Sequence, residues 1–345
     1  MEPRRSSSPG TVGNGTCRVL VTRRLPSDAA TARLRSERGL VIDTWPEARP
    51  PTADELAERA SPCAGILTML TERVDEALLE RCPDLRVVAN MAVGFDNVDV
   101  DAATAHGVLV TNTPGVLTEA TADLAFALLL AAARRLPEGS TAVREGDWGP
   151  WDPGWLLGRE LNGLTLGIVG PGRIGSAVAR RAQAFGMTVT YCGRRDAVAF
   201  PGLRAPWREV LRTADVVSVH VPLTGETAGM FDAPAFSAMK RGAIFVNTSR
   251  GGVVDQDALR AALESGQIGA AALDVTVPEP LPPDHPLLAA PNLIVLPHLG
   301  SATHETRARM AELSVDGLLS ALRGERPHHL VNPAAWERAG RGAGA

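Results

Sequence analysis

One lysine, one tyrosine and four cysteines are all that the 345 residues offer of three reactive side-chain types. Lys240 stands alone beside Arg241 and Gly242, so Schiff-base chemistry has almost no candidate residue. Cys17, Cys63, Cys82 and Cys192 are scattered, with no C-x-x-C pair and no accompanying histidine spacing. Neither a disulfide framework nor a metal site is expected, and the four read as reduced thiols in a cytoplasmic protein. No apolar run approaches eighteen residues; the longest, LAFALLLAAA at 124–133, is too short to span a bilayer and suits a buried helix. Residues 1–16 contain basic side chains but no apolar core of a secretory signal, and read as a flexible tail. A net charge of -4 gives no reason to expect nucleic acid or an anionic membrane as a partner.

What is present is the composition of a soluble globular chain, 45% apolar and 21% charged, long enough for two compact domains. From Cys17 short β-branched runs alternate with helical ones: CRVLVT, DAATARLRSERG, LVIDTW, TADELAERA, AGILTML, DEALLERC, LRVVANM. Residues 118–136 read as one long helix, followed at 145–161 by a segment rich in Gly, Pro and Trp without periodicity. A second alternation then supplies six strands: LTLGIVG, MTVTYC, VVSVHV, AIFVNT, GAAALDV and NLIVLP. Strands and amphipathic helices at this spacing predict an α/β protein with two doubly wound, Rossmann-like domains. A dinucleotide-binding domain (117–299) is inserted in a discontinuous substrate domain (17–116 and 300–333), completed by the helical run at 304–324; residues 334–345 read as a tail.

Gly170, Gly172 and Gly175 stand in G-x-G-x-x-G register directly after an apolar strand and at the start of a helix. Glycines there allow a tight turn, close approach of a pyrophosphate and close packing of helix on strand, with the phosphates at the helix N-terminus. In the NAD version an acid ends the second strand and binds the ribose 2′-OH. Here Gly193 occupies that place, and Arg194 and Arg195 follow at once. Guanidinium forks match a ribose phosphate, so NADPH is the expected cofactor. Two features keep NADH open: both arginines suit solvated loop charges, and Asp196 can serve as the acid if the loop bends.

Three polar residues follow apolar strands, where open α/β sheets place ligand-facing groups: Arg250 after AIFVNTS, Glu279 in DVTVPEP and His298 after NLIVLP. Together they are the parts that a hydroxy-acid redox reaction needs. Arginine grips a carboxylate and polarises the carbonyl, and histidine delivers the proton while a nearby carboxylate favours the charged ring. Singly, each has a plainer role: a helix C-terminal partner, a solvated loop acid, a capped core histidine.

The stretches VGFDNVD, GIVGPGRIG, FVNTSRGGVVDQDAL, LDVTVPEP and LPHLGSAT resemble the D-isomer-specific 2-hydroxyacid dehydrogenase family. Within it, GILTMLTERVDEALL, DWGPWDPGWLLG, the CGRR loop and the run from 274 to 324 are similar to the glyoxylate reductase/hydroxypyruvate reductase branch, over residues 17 to 333. The resemblance implies active-site roles for Arg250 and Glu279 and an acid/base role for His298. It implies that the backbone of Val93 and Gly94 binds the substrate carboxylate and that Leu70 packs against the substrate. It further implies cofactor contacts from Gly172, Arg173 and Ile174 at the pyrophosphate, Gly193 to Arg195 at the ribose phosphate, and Pro222 and Thr248 near the rings. Asp274 would meet the nicotinamide carboxamide, with Gly300 close by, and Trp151 would lie in a homodimer interface and reach toward the partner's site. For Pro222 and Thr248 a purely structural role in their turns is an equal alternative, as is a core role for Leu70; a simple turn is the alternative for Val93 and Gly94, and packing within its own chain for Trp151.

The resulting expectation is NADPH-dependent reduction of glyoxylate and hydroxypyruvate. Another enzyme of the family is the alternative: a phosphoglycerate dehydrogenase usually prefers NAD and often carries a C-terminal regulatory domain, for which the chain leaves no room. A formate dehydrogenase would have glutamine where Glu279 stands. From a different class, the family includes dinucleotide-sensing corepressors that can keep the catalytic residues; the similarity around Leu70 and Val93 disfavours that reading.

Overall fold

A computed structural model describes residues 17–194 and 199–338. It divides into two units, Met1–Leu117 with Thr303–Ala345, and Thr118–Ala302. The changeovers, expected after 116 and 299, come after 117 and 302.

The first unit begins with β1 (Cys17–Val21), α1 (Asp28–Ser36), β2 (Leu40–Thr44), α2 (Ala53–Ala60), β3 (Gly65–Thr68), α3 (Glu76–Arg81), β4 (Val87–Asn90), α4 (Val100–Ala105) and β5 (Leu109–Thr111). Its helices start where short polar side chains accept the first free N–H groups: Ser27 for α1, Thr52 for α2, Asp75 for α3 and Asp99 for α4. At α2 the cap is a full capping box, with Glu55 reaching back to the Thr52 backbone. The five strands pair in parallel, in the order β2-β1-β3-β4-β5, with one antiparallel bridge from Thr111 to Leu330, and β3, β4 and β5 are buried throughout, as strands covered on both faces must be.

The second unit runs through α5 (Thr118–Ala133), α6 (Leu136–Glu145), β6 (Thr165–Val169), α7 (Arg173–Ala184), β7 (Thr188–Cys192), β8 (Leu203–Arg204), α8 (Trp207–Thr213), β9 (Val216–Val219), α9 (Ala233–Ala238), β10 (Ala243–Asn247), α10 (Gln256–Glu264), β11 (Ile268–Leu273) and β12 (Leu293–Val295). Its parallel sheet has the order β12-β11-β10-β9-β6-β7-β8. Strand order reverses at β6, so the carboxyl ends of β6 and β9 flank a switch point, the place where open α/β sheets bind ligands. One core carries the edge-on rings of Phe231, Phe236 and Phe245; the other joins α5 and α7 to the strands through Phe126, Leu129, Val178 and Ile168. The single lysine, Lys240, lies just before β10 and pairs with Asp215 at 3.1 Å. The chain then returns to the first unit with α11 (His304–Leu322), which packs on β3 and β4, and α12 (Pro333–Arg338).

Four details differ from the sequence reading. The helix expected over 118–136 stops at Ala133, and Arg135 takes a left-handed φ of 53°. Pro137 is the cause: it lacks an N–H and would clash with the carbonyl of Ala133, so it opens α6 instead, and Arg159 N–H takes that carbonyl at 2.8 Å. The three-residue β5 and the two-residue β8 were too short to stand out. Residues 334–338, read as tail, belong to a helix because Ala335 and Trp336 are buried where α12 packs on α4 and β5.

Trp336→Ala is therefore expected to cost about 3 kcal/mol through loss of buried ring surface, seen as a lower urea midpoint; an unshifted midpoint would restore the tail. His220, just after β9, carries a second expectation. Burial pushes its imidazole from 6.5 down to about 4, although the residue keeps some exposure, and Ser218 Oγ lies 2.9 Å from Nε2. A folded value below the unfolded one means the unfolded chain binds the proton first. Its contribution is whole above pH 6.5 and is lost as pH falls toward 4, up to about 3 kcal/mol. Unfolding free energies at pH 7.5 and 5 should differ less in His220→Gln than in the parent.

Candidate active site

β6 ends at Val169, and the chain turns at Gly170 with φ 98°, where a Cβ would lie 2.6 Å from the carbonyl oxygen of His220. Gly175, in the first turn of α7, would bring a Cβ 2.4 Å from the Gly170 oxygen. These two glycines let helix and strand meet. Gly172 differs: a Cβ there would touch nothing within 4 Å. It is the N-cap of α7 yet supplies no side-chain acceptor, so the first N–H groups of a twelve-residue helix face open space in front of Gly172 and Arg173. Ile174 packs back on the core. An uncapped helix start behind a glycine suits a pyrophosphate.

β7 ends at Cys192, and Gly193 is half-buried beside it. The exposed Arg194 guanidinium is paired with Glu226 at 3.0 Å. Such a solvated pair is worth at most about 1 kcal/mol. Arg195 and Asp196 lie outside the described residues. Glu226 sits in the turn after Pro222, whose carbonyl accepts the Thr227 hydroxyl at 2.6 Å. Thr248, at the end of β10, is buried with a hydroxyl that no described group partners. A buried orphan hydroxyl at a strand's carboxyl end is a place for a ligand atom.

Arg250, Glu279 and His298 are brought together by the ends of β10, β11 and β12. Asn247 shapes the first: its Oδ1 accepts from Ser249 N–H at 3.0 Å and Ser249 Oγ at 2.7 Å, and its Nδ2 donates to the Arg250 carbonyl at 2.9 Å. Glu279 Oε1 accepts from Thr276 N–H at 3.0 Å, leaving Oε2 for His298 Nδ1 at 2.9 Å. His298 has φ 57°, and its N–H donates to the Asp274 carbonyl at 3.0 Å. The buried Asp274 carboxylate accepts from Leu299 N–H at 2.6 Å and Gly300 N–H at 2.7 Å. Burial pushes the Asp274 carboxyl up, against these two N–H groups and the His298 charge, and the net direction is upward. For Glu279 burial also pushes up, but the His298 hydrogen bond and charge, the Thr276 N–H and the Arg250 charge outweigh it and hold the carboxyl below its usual range. Glu279 is thus an anion held against His298 Nδ1, and Nε2 is the ring nitrogen turned away from it.

Leu70, Val93 and Gly94 stand in the first unit, after β3 and β4, all partly exposed. The Val93 carbonyl accepts from Asn112 Nδ2 at 2.8 Å and the Gly94 carbonyl from Asn90 Nδ2 at 2.9 Å. Trp151, 87% exposed, is in the irregular segment of the second unit and is not part of the Arg250, Glu279, His298 group. Sequence reasoning passed over Asn90, Asn112, Asn247 and Glu226. The asparagines carry a signal, a short amide at or just past a strand end before a turn; Glu226 carries none.

Residues 126–300 match the model of the NAD binding domain of D-isomer specific 2-hydroxyacid dehydrogenases. A glyoxylate reductase of Korarchaeum cryptofilum is 49% identical over 320 residues, covering 91% of this chain and 96% of the relative. A Thermus thermophilus protein of known crystal structure is 50% identical with a TM-score of 0.86, over 91% of this chain and 99% of that one. An NADPH-dependent glyoxylate/hydroxypyruvate reductase of Sinorhizobium meliloti, solved with NADP and malonate, is 34% identical with a TM-score of 0.79, over 93% and 98%. The chain belongs to the D-isomer specific 2-hydroxyacid dehydrogenase family, in its glyoxylate reductase branch, and is an NAD(P)-dependent oxidoreductase.

Proposed function

We propose that the protein reduces glyoxylate and hydroxypyruvate to glycolate and D-glycerate, with NADPH as the preferred cofactor. The observation that carries this reading is the 2.9 Å contact of His298 Nδ1 with Glu279, beside the charge of Arg250. When bound, the dihydronicotinamide supplies a hydride to the carbonyl carbon. Arg250 binds the oxo acid and draws electron density toward the carbonyl oxygen. His298 gives the proton from Nε2 to that oxygen, so one hydride and one proton convert the oxo acid to the hydroxy acid. Glu279 holds the ring by Nδ1 and stabilises its charged form before transfer. Val93 and Gly94 bind the substrate carboxylate through backbone N–H groups, and Leu70 packs against the substrate.

The helix start at Gly172, Arg173 and Ile174 holds the pyrophosphate, with Gly170 and Gly175 shaping the turn. Pro222 and the orphan hydroxyl of Thr248 lie along the rings, and Gly300 and Asp274 line the nicotinamide end. Arg194 and Arg195, after Gly193, take the ribose phosphate; the NADP-bound Sinorhizobium meliloti relative supports that choice. A second copy of the chain covers the exposed Leu136, Val143, Trp148, Trp151, Trp155 and Leu157, which crowd one stretch of sequence, and so forms a homodimer. Among the described residues no helix is long and apolar enough to cross a membrane, and all four cysteines are free; we place the enzyme in the cytoplasm.

Initial rates of NADPH oxidation with glyoxylate test the reaction, and absence of turnover overturns it. His298→Ala should lower kcat by roughly 10²-fold or more; a near-normal rate removes the histidine from its role. Arg194→Ala combined with Arg195→Ala should raise the KM for NADPH at least tenfold and leave that for NADH nearly unchanged. Equal losses would reduce the arginines to loop-shaping residues.

A further inference from the structure

The turn after β4 shows how a pair of backbone N–H groups is held open. Three successive carbonyls there are each engaged: Ala92 by Thr113 N–H at 2.8 Å, Val93 by Asn112 Nδ2 at 2.8 Å, and Gly94 by Asn90 Nδ2 at 2.9 Å. In a trans peptide the N–H points opposite to the carbonyl of the preceding residue. Fixing the carbonyls of Ala92 and Val93 therefore fixes the N–H groups of Val93 and Gly94 on the other side, and no described residue accepts from either.

The clamps have their own support. Asn90 is wholly buried; its Oδ1 accepts from Thr68 Oγ1 at 3.3 Å and its Nδ2 lies 3.3 Å from Asn97 Oδ1. Asn97 Nδ2 donates to the carbonyls of Met69 at 3.0 Å and Glu72 at 2.9 Å, so it joins this turn to the one bearing Leu70. The buried Glu72 fixes that second turn by accepting from Met69 N–H at 2.6 Å and from Thr22 Oγ1 at 2.7 Å. Six side chains, Asn112, Asn90, Thr68, Asn97, Glu72 and Thr22, thus hold this turn and its neighbour, more than a surface turn needs in order to close.

We infer that Asn112 and Asn90 are positioning residues for the substrate carboxylate. Asn112 holds the peptide that carries the Gly94 N–H, as the Thr113 N–H holds the one that carries the Val93 N–H; Asn90 holds the next plane, Gly94–Phe95, and so limits rotation at Gly94 from its other side. The inference rests on the carboxylate-binding reading of Val93 and Gly94 given above. Losing a clamp lets the peptide planes rock, which weakens the grip on the oxo acid while leaving proton delivery and cofactor binding as they were.

The test uses the full-length protein with Asn112→Leu, which removes the donor at similar volume, and Asn112→Ala, which removes it without bulk. Asn112 is only partly buried, so both should fold; Asn90→Ala tests the deeper clamp. Expected is a rise of at least tenfold in the KM for glyoxylate, with kcat within about threefold, NADPH binding by fluorescence titration unchanged and the melting temperature nearly kept. An unchanged KM in the folded Asn112 variants overturns the inference. So does a parallel fall in kcat, NADPH affinity and melting temperature, the mark of a merely structural amide. Gly94→Pro, which deletes one of the two N–H groups, separates the layers: if it leaves KM unchanged the carboxylate reading itself fails, whereas a raised KM with normal Asn112 variants removes only the clamps.

Discussion

A buried carboxylate that accepts two backbone N–H groups fixes the candidate site. Asp274 directly follows β11, buried in the second unit, and its two oxygens take the N–H groups of Leu299 and Gly300. That grip, with the His298 N–H on the Asp274 carbonyl, holds His298 in a left-handed conformation that is uncommon for any residue but glycine. From there the ring meets Glu279, whose other oxygen is taken up by Thr276 N–H. Each carboxylate is fully engaged by the fold, which is why both can be placed accurately on loops. Asp274 is the more costly of the two, since burial prevails against its charged form there, whereas at Glu279 the His298 and Arg250 charges and the hydrogen bonds outweigh it.

Both units solve the same problem with the same side chain. A parallel strand delivers its last residue to the sheet's carboxyl end, and the chain must then turn without leaving buried carbonyls unpaired. Asn247 does this at β10 by donating to a carbonyl three residues on, and Asn90 does it at β4 by donating four residues on. An amide serves because it offers donor and acceptor together and copies a backbone group at short range. Gly251 shows how tight the packing becomes there: a Cβ would lie 2.1 Å from the Thr276 carbonyl oxygen.

Much of this was legible in the sequence because the signals were local. The G-x-G-x-x-G turn, the β-branched runs and the residues following them depend on chain neighbours, and so Gly170, Gly175, Arg250, Glu279 and His298 could be named in advance. What escaped depends on distant contacts. The β5 run of three residues is a strand only because β4 lies beside it, and α12 is a helix rather than a tail because Trp336 finds a buried place. The long helix was overextended because its apolar run continues toward Pro137 and hides the break. Glu226 opposes Arg194 from 32 residues away, with nothing in either neighbourhood to announce the pairing.

The scarcity of lysine takes on a practical meaning once the fold is known. Lys240 lies before β10, at the amino ends of the strands of its sheet, while Gly170, Thr248, Asp274 and His298 all follow the carboxyl ends. Its ammonium is partly exposed and held by Asp215. Reagents that acylate side-chain amines find a single address on this molecule, and it is on the far edge of the sheet from the glycine turn. A dye or a solid support attached there would leave that opposite edge uncovered.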